Sequence, residues 1–182
     1  MHRYMIPGTT QAGQIRQLRP SDLANFREHL LRLDAESRRD RFNGVTDDIF
    51  VGSYAARCFS DGTTVIGYVE NGEVHGAAEL HERPDLDEPT GEIAFSVERH
   101  LHHKGIGSAL FSRLIAHAQA LGYERLRVTT HPQNEAMKAL ARKYHARLMF
   151  EDGETVGTII VPEGSFTFVP FVAERRIEAN GG

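Results

Sequence analysis

Three histidines and a lysine stand directly before two glycines in the segment ERHLHHKGIGSALF, residues 98–111. Apolar residues recur at helical spacing from Gly105 to Leu121, so the segment predicts a strand that leads into a helix. The first N–H groups of such a helix have no partner within it, and with the helix dipole they attract anions. Because Gly105 and Gly107 carry no Cβ, an oxygen-rich ligand can approach the backbone closely. The chemistry indicated is the binding of a pyrophosphate.

Two known phosphate-binding motifs do not match this segment, and two alternatives to an anion site remain. The P-loop needs Gly-Lys-Ser/Thr after four residues, and the dinucleotide fingerprint needs a third glycine where this chain has Leu110. A metal site built from His100, His102 and His103 is one alternative, but no cysteine or second histidine lies nearby at the spacing of zinc motifs. An ordinary corner without a ligand is the other alternative. We predict an anion site and no metal.

The elements that must position this corner follow from the periodicity of apolar residues. Helical periodicity is present in four segments: residues 20–33, 46–59, 105–121 and 134–145. Strand-like alternation or short apolar runs are present in seven: residues 14–20, 63–70, 73–82, 92–98, 125–130, 147–151 and 155–161. Asn71-Gly72 is a strong hairpin signal between the second and third strands. This order predicts an α/β (α+β) fold, with a central mixed sheet of six to seven strands flanked by about four helices.

Length and composition bound the class of protein. With 182 residues, 40% hydrophobic and 25% charged, we expect one domain at residues 1–182, with an arm at 1–13 and a C-terminal tail at 162–182. The net charge of −4 argues against nucleic acid as a partner. No apolar run approaches the roughly 18 residues of a membrane span, and the single Cys58 cannot form an internal disulfide. We expect a cytoplasmic protein without membrane contact, and the apolar FTFVPFV of the tail favours a homodimer.

The stretch VERHLHHKGIGSALFSRLIAHAQALGYERLRVTTHPQNEAMKALARKYHARL resembles the acetyl-CoA-binding half of the GNAT superfamily of acyl-CoA N-acyltransferases. The signature of that superfamily is Arg or Gln, two residues, Gly, one residue, and Gly or Ala. A long helix, a strand and an Asn that opens the next helix follow it. Gly105 and Gly107 match, Ser108 continues the turn, and Asn134 falls at the Asn position. His102 stands where the superfamily has Arg or Gln and keeps a hydrogen-bond donor there.

The resemblance implies acetyl-CoA as cosubstrate. It places the cofactor against the corner and the strand before it, at Phe95, Ser96, Val97, His102, His103, Lys104, Gly105, Ile106, Gly107, Ser108 and Asn134. The backbone N–H of Val97 is expected to polarise the thioester oxygen. An Asn before EAMKAL is also a good helix N-cap, so Asn134 has a structural alternative.

The resemblance also implies direct attack of a primary amine, from a small molecule or a protein lysine, on the thioester in a ternary complex. An alkylamine with a pKa of about 10.4 is protonated at neutral pH, so a base is needed. Glu92, which opens the strand EIAFSVE, is the predicted base by similarity to bacterial protein lysine acetyltransferases. Their helical region is also similar to LDAESRRDRF, residues 33–42. For Glu92 the alternative is a surface strand residue paired with a nearby Lys or Arg.

The final predicted helix departs from the superfamily pattern. Leu140-Ala141 replaces a Leu-Tyr pair whose Tyr protonates the departing thiolate. Tyr144, about one turn later, is the candidate acid, and a core aromatic is the alternative. The loss of the usual acid also supports a rival function, a non-catalytic acyl-CoA-binding or regulatory domain. The acidic loop ERPDLDEPTGE favours a cationic acceptor, although a solvated loop explains it as well.

Overall fold

The computed structural model describes residues 13–86 and 88–162. Within them seven strands form one sheet in the order β1-β2-β3-β4-β5-β7-β6. The strands are β1 (Gln14–Gln17), β2 (Thr63–Glu70), β3 (Glu73–Glu82), β4 (Thr90–Val97), β5 (Arg125–Thr130), β6 (Arg147–Glu151) and β7 (Glu154–Ile160). The helices are α1 (Leu23–Arg32), α2 (Ala35–Phe42), α3 (Asp48–Arg57), α4 (Ile106–Ala120) and α5 (Glu135–Lys143). The predicted α/β fold with a mixed sheet is confirmed.

The one parallel pair of the described sheet, β4 with β5, determines where the sheet can open. Its register pairs Thr90–Glu92 with Arg125–Arg127 and stops there. β4 continues along β3 as far as Val97, which lies opposite Gly76. The last five residues of β4 therefore pair with β3 on one edge and leave the other edge available to a ligand.

Two apolar layers cover the faces of the sheet. One packs α4 against the sheet around Leu110, Phe111 and Leu114, and the other packs α1 and α3 around Phe26 and Leu30. Successive side chains of a strand point to opposite faces. In β4, Ile93 therefore packs in the α4 layer, whereas Ser96 faces His29 of α1 on the other side.

Helix α2 is a fifth helix where about four were predicted. The segment AESRRDRF has no apolar face, so periodicity does not reveal it. Its start is held by Asp34, whose Oδ1 accepts a hydrogen bond from the backbone N–H of Ser37 at 2.9 Å. Such an N-cap satisfies one of the unpaired donors of the first turn. Within the segment at residues 33–42, the helix that the resemblance implied spans Ala35–Phe42, and Asp34 caps its start.

Two predicted segments fall mainly outside the described residues. The arm at residues 1–13 is described only at Gly13, and the tail at 162–182 only at Pro162, so the apolar FTFVPFV lies outside. Among the helices of the described ranges, none combines the length and apolar character needed to cross a bilayer.

Candidate active site

A cavity of about 450 Å³ lies between α2, β4, α4 and α5. Ten of the eleven residues predicted to hold the cofactor line it, and Lys104 does not. The predicted residues on its wall are Phe95, Ser96, Val97, His102, His103, Gly105, Ile106, Gly107, Ser108 and Asn134. The fold therefore brings the corner, the end of β4 and the start of α5 to one space.

The N-terminus of α4 forms one end of the cavity. Gly105 is its N-cap with a φ of 79°, and the first helical hydrogen bond runs from Ala109 N to Gly105 O at 3.0 Å. The N–H groups of residues 106–108 precede that bond and have no partner within the helix. A Cβ at Gly107 would meet nothing nearer than Leu140 Cδ2 at 3.8 Å. Gly105 is thus needed for its backbone angle, whereas Gly107 leaves space in the cavity.

The edge of β4 supplies backbone groups to the same cavity. Glu98 N donates to His75 O at 3.0 Å, so Glu98 and His75 form a hydrogen-bonded pair at the end of the antiparallel ladder between β3 and β4. In an antiparallel ladder the hydrogen-bonded and non-hydrogen-bonded pairs alternate. The N–H and C=O groups of Val97 and Phe95 therefore point away from β3, toward the open edge. Phe95 and Val97 are among the residues at which the resemblance places the cofactor.

His102 has an internal partner. Its Nε2 donates to the carbonyl oxygen of Val97 at 2.7 Å. In a neutral imidazole one nitrogen donates and the other accepts, so Nδ1 is then an acceptor. His102 consequently fastens the turn before α4 to the end of β4. Its predicted role as a donor to pyrophosphate stays a prediction.

The start and end of α5 add two further contacts. Asn134 Oδ1 accepts from Met137 N at 2.9 Å, so the N-cap alternative for Asn134 is confirmed. Lys143 Nζ donates to Ser108 Oγ at 2.9 Å and lines the cavity. Sequence reasoning missed Lys143, because its contact with Ser108 joins residues 35 apart and depends on the packing of α5 against the corner. It brings a cation to the wall beside the α4 N-terminus.

Neither residue predicted to move protons is among those lining the cavity. Glu92 accepts from Arg83 Nη1 at 2.5 Å and from Thr129 Oγ1 at 3.0 Å. The Tyr144 hydroxyl donates to the Ser108 carbonyl at 2.7 Å, and its ring stacks on Phe111 with centroids 4.2 Å apart. Tyr144 thus has the contacts of a packed aromatic, and both proposed roles stay predictions.

The acidic loop between β3 and β4 is largely paired. Asp85 forms an ion pair with Arg83 at 2.7 Å, and Glu88 forms one with Arg125 at 2.5 Å. Asp87 lies outside the described residues. These pairs favour the alternative of a solvated, internally balanced loop over an acceptor-binding surface.

Helix α2 forms a further part of the cavity wall, here called its α2 end, through Ser37, Asp40 and Arg41. Arg41 Nη2 donates at 2.6 Å to Glu79 Oε2, a carboxylate that is fully buried in β3. Burial raises the pKa of Glu79, but the charge of Arg41 and hydrogen bonds from Arg41 and His81 outweigh burial and lower it to about 2. The ionised Glu79 therefore balances Arg41, and Asp40 adds a carboxylate to this end of the cavity.

Sequence reasoning missed this buried pair. The sequence of EVHGAAELHE predicts only a hairpin arm, yet Glu79 stands in a continuous run of buried residues, 76–80. A charged residue at an inward position of a strand is seldom tolerated unless it is paired. The charged Glu79 within this otherwise apolar run was the feature of the sequence that indicated a buried partner.

Comparison with known proteins agrees with this geometry. The profile of the acetyltransferase (GNAT) family matches residues 27–146. The GNAT domain of S. lividans PAT is 17% identical with a TM-score of 0.70, covering 86% of this chain and 99% of that domain. YncA, a putative acetyltransferase from Salmonella typhimurium determined with acetyl-CoA, is 23% identical with a TM-score of 0.60, covering 86% and 98%.

A third similar structure is the PaiA N-acetyltransferase of Thermoplasma acidophilum in complex with coenzyme A. It is 16% identical with a TM-score of 0.61, and the match covers 82% of this chain and 99% of that one. At these identities the structures show a shared fold, while the family profile spans about two thirds of the sequence. The chain belongs to the acetyltransferase (GNAT) family.

Proposed function

We propose that the protein transfers the acetyl group of acetyl-CoA to a primary amine by direct attack in a ternary complex. The observation that carries the proposal is the single cavity that joins the unpaired N–H groups of α4 to the open edge of β4. An anion-binding helix end and an edge with free backbone groups match the two halves of acetyl-CoA, its pyrophosphate and its amide-containing arm. Two similar structures, one with acetyl-CoA and one in complex with coenzyme A, add support.

In this proposal the pyrophosphate lies on the N–H groups of residues 106–108. Lys143, whose Nζ already lies 2.9 Å from Ser108 Oγ, adds a positive charge at that end. The arm follows Phe95, whose outward N–H and C=O groups hydrogen-bond to it, because the carbonyl of Val97 already accepts from His102. The N–H of Val97 then polarises the thioester oxygen, which accumulates negative charge as the amine attacks.

The acceptor enters from the α2 end of the cavity. Asp40 lines this end with its side chain 26% exposed, and its carboxylate forms a long ion pair with Arg39 Nε at 3.9 Å. Because Arg41 is already balanced by Glu79, the carboxylate of Asp40 favours a cationic acceptor. A lysine side chain or a polyamine has this character.

The proposal is tested with purified protein, acetyl-CoA and a panel of primary amines, including lysine, a polyamine and a lysine peptide. We expect CoA binding by calorimetry, and thiol release that depends on the amine. Tight binding with no release above buffer for any amine would instead favour the rival, a non-catalytic acyl-CoA-binding domain, for which Ala141 is the supporting observation.

Glu92→Gln tests the predicted base in the same assay. A general base typically contributes 10²-fold or more, so a loss of about that size supports the role. Equal rates in both proteins would remove Glu92 from it. The proposed homodimer depends on a segment outside the described residues and is tested separately by the molar mass in solution.

A further inference from the structure

A hydroxyl, an imidazole and a carboxylate form a chain of hydrogen bonds behind the cavity. Ser96 Oγ lies 2.8 Å from His29 Nε2, and His29 Nδ1 lies 3.1 Å from Glu98 Oε1. This is the order of groups that activates a hydroxyl in nucleophilic and acid–base catalysis. Of the three residues only Ser96 lines the cavity, and His29 is fully buried.

The protonation states along this chain are fixed by burial and by neighbouring charges. Burial raises the pKa of Glu98, but hydrogen bonds from His29 and Arg32 outweigh burial and lower it to about 2. Burial lowers the pKa of His29 below its usual range, although the Glu98 carboxylate raises it. A neutral imidazole beside an ionised carboxylate donates to it through Nδ1, so Nε2 accepts the proton of Ser96.

Other charged groups around His29 come from three elements. Arg32 of α1 donates to Glu98 Oε1 at 2.9 Å, and its charge lowers the pKa of His29. From β3, Glu79 raises the pKa of His29, and His75 Nδ1 lies 3.3 Å from Glu98 Oε2. The exposed His100, after β4, lies 3.7 Å from the same oxygen.

We propose that Ser96, His29 and Glu98 form a proton relay that takes a proton from the acceptor amine during acetyl transfer. The inference rests on the proposed function, because it needs an amine to attack a thioester at the β4 edge. The predicted base Glu92 lies on the same face of β4, four residues or roughly 13 Å earlier along the strand. Its carboxylate is held by Arg83 and Thr129, whereas Ser96 lines the cavity.

The ammonium form of the acceptor first loses one proton to solvent water. The nitrogen of the resulting neutral amine bonds to the thioester carbon and loses its second proton to Ser96 Oγ, while the hydroxyl proton of Ser96 moves to His29 Nε2. The carbon–sulfur bond breaks and CoA leaves as the thiolate. The proton on His29 returns through Ser96 to that thiolate, so the products are the amide and the CoA thiol. Glu98 stays ionised and stabilises the transient imidazolium.

The same hydrogen bonds would be present if these residues only stabilised the fold. The test must therefore separate an effect on kcat from effects on binding and folding. Ser96→Ala removes the hydroxyl and little volume. We expect its kcat to fall at least tenfold, with the CoA Kd and the KM for acetyl-CoA unchanged. The matched control is Thr90→Val, which removes a hydroxyl that is equally buried, at 7% exposure, from the other end of β4. It should retain wild-type rates.

The pH profile supplies the second readout. Wild-type kcat should fall on the acid side with a slope of one as His29 becomes protonated. In Ser96→Ala this limb should vanish, because the imidazole no longer exchanges a proton with the substrate. Wild-type rates in Ser96→Ala, or an acid limb that only Glu92→Gln removes, would overturn the relay and leave the proposed function standing.

The ¹⁵N spectrum of the imidazole provides a measurement that needs no turnover. With histidine-labelled protein at pH 7 to 8, the relay predicts a neutral His29 that carries its proton on Nδ1. An Nε2–H tautomer or an imidazolium there would overturn the relay whatever the enzyme does. Absence of transfer by wild type to every amine would instead overturn the proposed function, and the relay with it.

Discussion

The Nε2 atom of His102 lies 2.7 Å from the carbonyl oxygen of Val97, so the residue that replaces the expected Arg or Gln is hydrogen-bonded to the protein itself. This bond joins the turn before α4 to the outward-pointing end of β4. The two surfaces of the cavity that we assign to the cofactor are thereby held at a fixed separation. His102 is expected to act by ordering both.

Replacement of His102 tests this positioning. One hydrogen bond contributes about 1 kcal/mol net, so His102→Ala should weaken CoA binding by roughly threefold to tenfold. His102→Arg restores a donor and should bind CoA as well as wild type or better, measured by calorimetry at pH 8. His145→Asn, at an exposed position outside the cavity, is the control. A loss of all binding in His102→Arg would show a role for this imidazole that the hydrogen bond to Val97 does not explain.

The two glycines of the corner should respond differently to alanine. Gly105 has a φ of 79°, where alanine costs about 1 kcal/mol of unfolding free energy. Gly107 has room for a Cβ, and alanine there should leave stability unchanged or raise it by up to about 1 kcal/mol. Gly107→Ala should leave CoA affinity within a few-fold of wild type, because the superfamily signature accepts Gly or Ala at this position. Gly107→Leu should weaken CoA binding, because its longer side chain occupies space assigned to the pyrophosphate. Urea unfolding and calorimetry measure stability and binding, and unchanged CoA affinity in Gly107→Leu would argue against the site.

Tyr144 can be tested without disturbing its packing. Tyr144→Phe keeps the ring that stacks on Phe111 and loses the hydroxyl that donates to Ser108. Since the hydroxyl is engaged by α4, we expect kcat to stay within a few-fold of wild type. A fall of 10²-fold or more, with the CoA Kd unchanged, would restore the role of general acid that the sequence suggested.

Acid should destabilise the fold through its buried ionised groups. The folded pKa of Glu79 and of Glu98 is about 2, below the roughly 4.3 of an unfolded glutamate. The unfolded chain therefore binds more protons in this window, and the stabilisation present above about pH 4.3 is lost as the pH falls toward 2. His29, with its lowered pKa, acts in the same direction below about pH 6.5.

Urea unfolding at pH 7, 5, 4 and 3 measures this dependence. We expect the unfolding free energy to decrease at each step, and to decrease less steeply between pH 5 and 3 in Glu98→Gln. A flat profile over this range would show that these carboxylates are not ionised and paired in the folded protein.

Local signals in the sequence predicted the corner and the hairpin well. Asn71 and Gly72 adopt φ values of 52° and 84°, and Gly105 adopts 79°, conformations that residue type alone favours. The periodicity of apolar residues did not predict the polar helix α2, because its sequence has no apolar face and its start depends on the N-cap Asp34. Capping was readable there, but it is a weaker signal than periodicity.

The polar contacts of the site depend on tertiary structure. Ser96 and His29 are 67 residues apart, and Arg41 and Glu79 are 38 apart. Neither pairing follows from spacing, since only the register of the sheet and the packing of α1 and α2 bring the partners together. The sequence indicates only that two polar residues stand where apolar ones are expected. They are a histidine on the apolar face of α1 and a glutamate in a core strand.

The most direct test of the central claim uses acetyl-CoA labelled in its acetyl group with ¹³C, together with the amine panel. We expect mass spectrometry to find the label on an amine in an amount equal to the CoA thiol released, with a cationic amine preferred. Asp40→Asn should raise the KM for that amine, while Glu124→Gln, an exposed carboxylate outside the cavity, should not. Thiol release without labelled amine, or CoA binding without either product, would contradict the account.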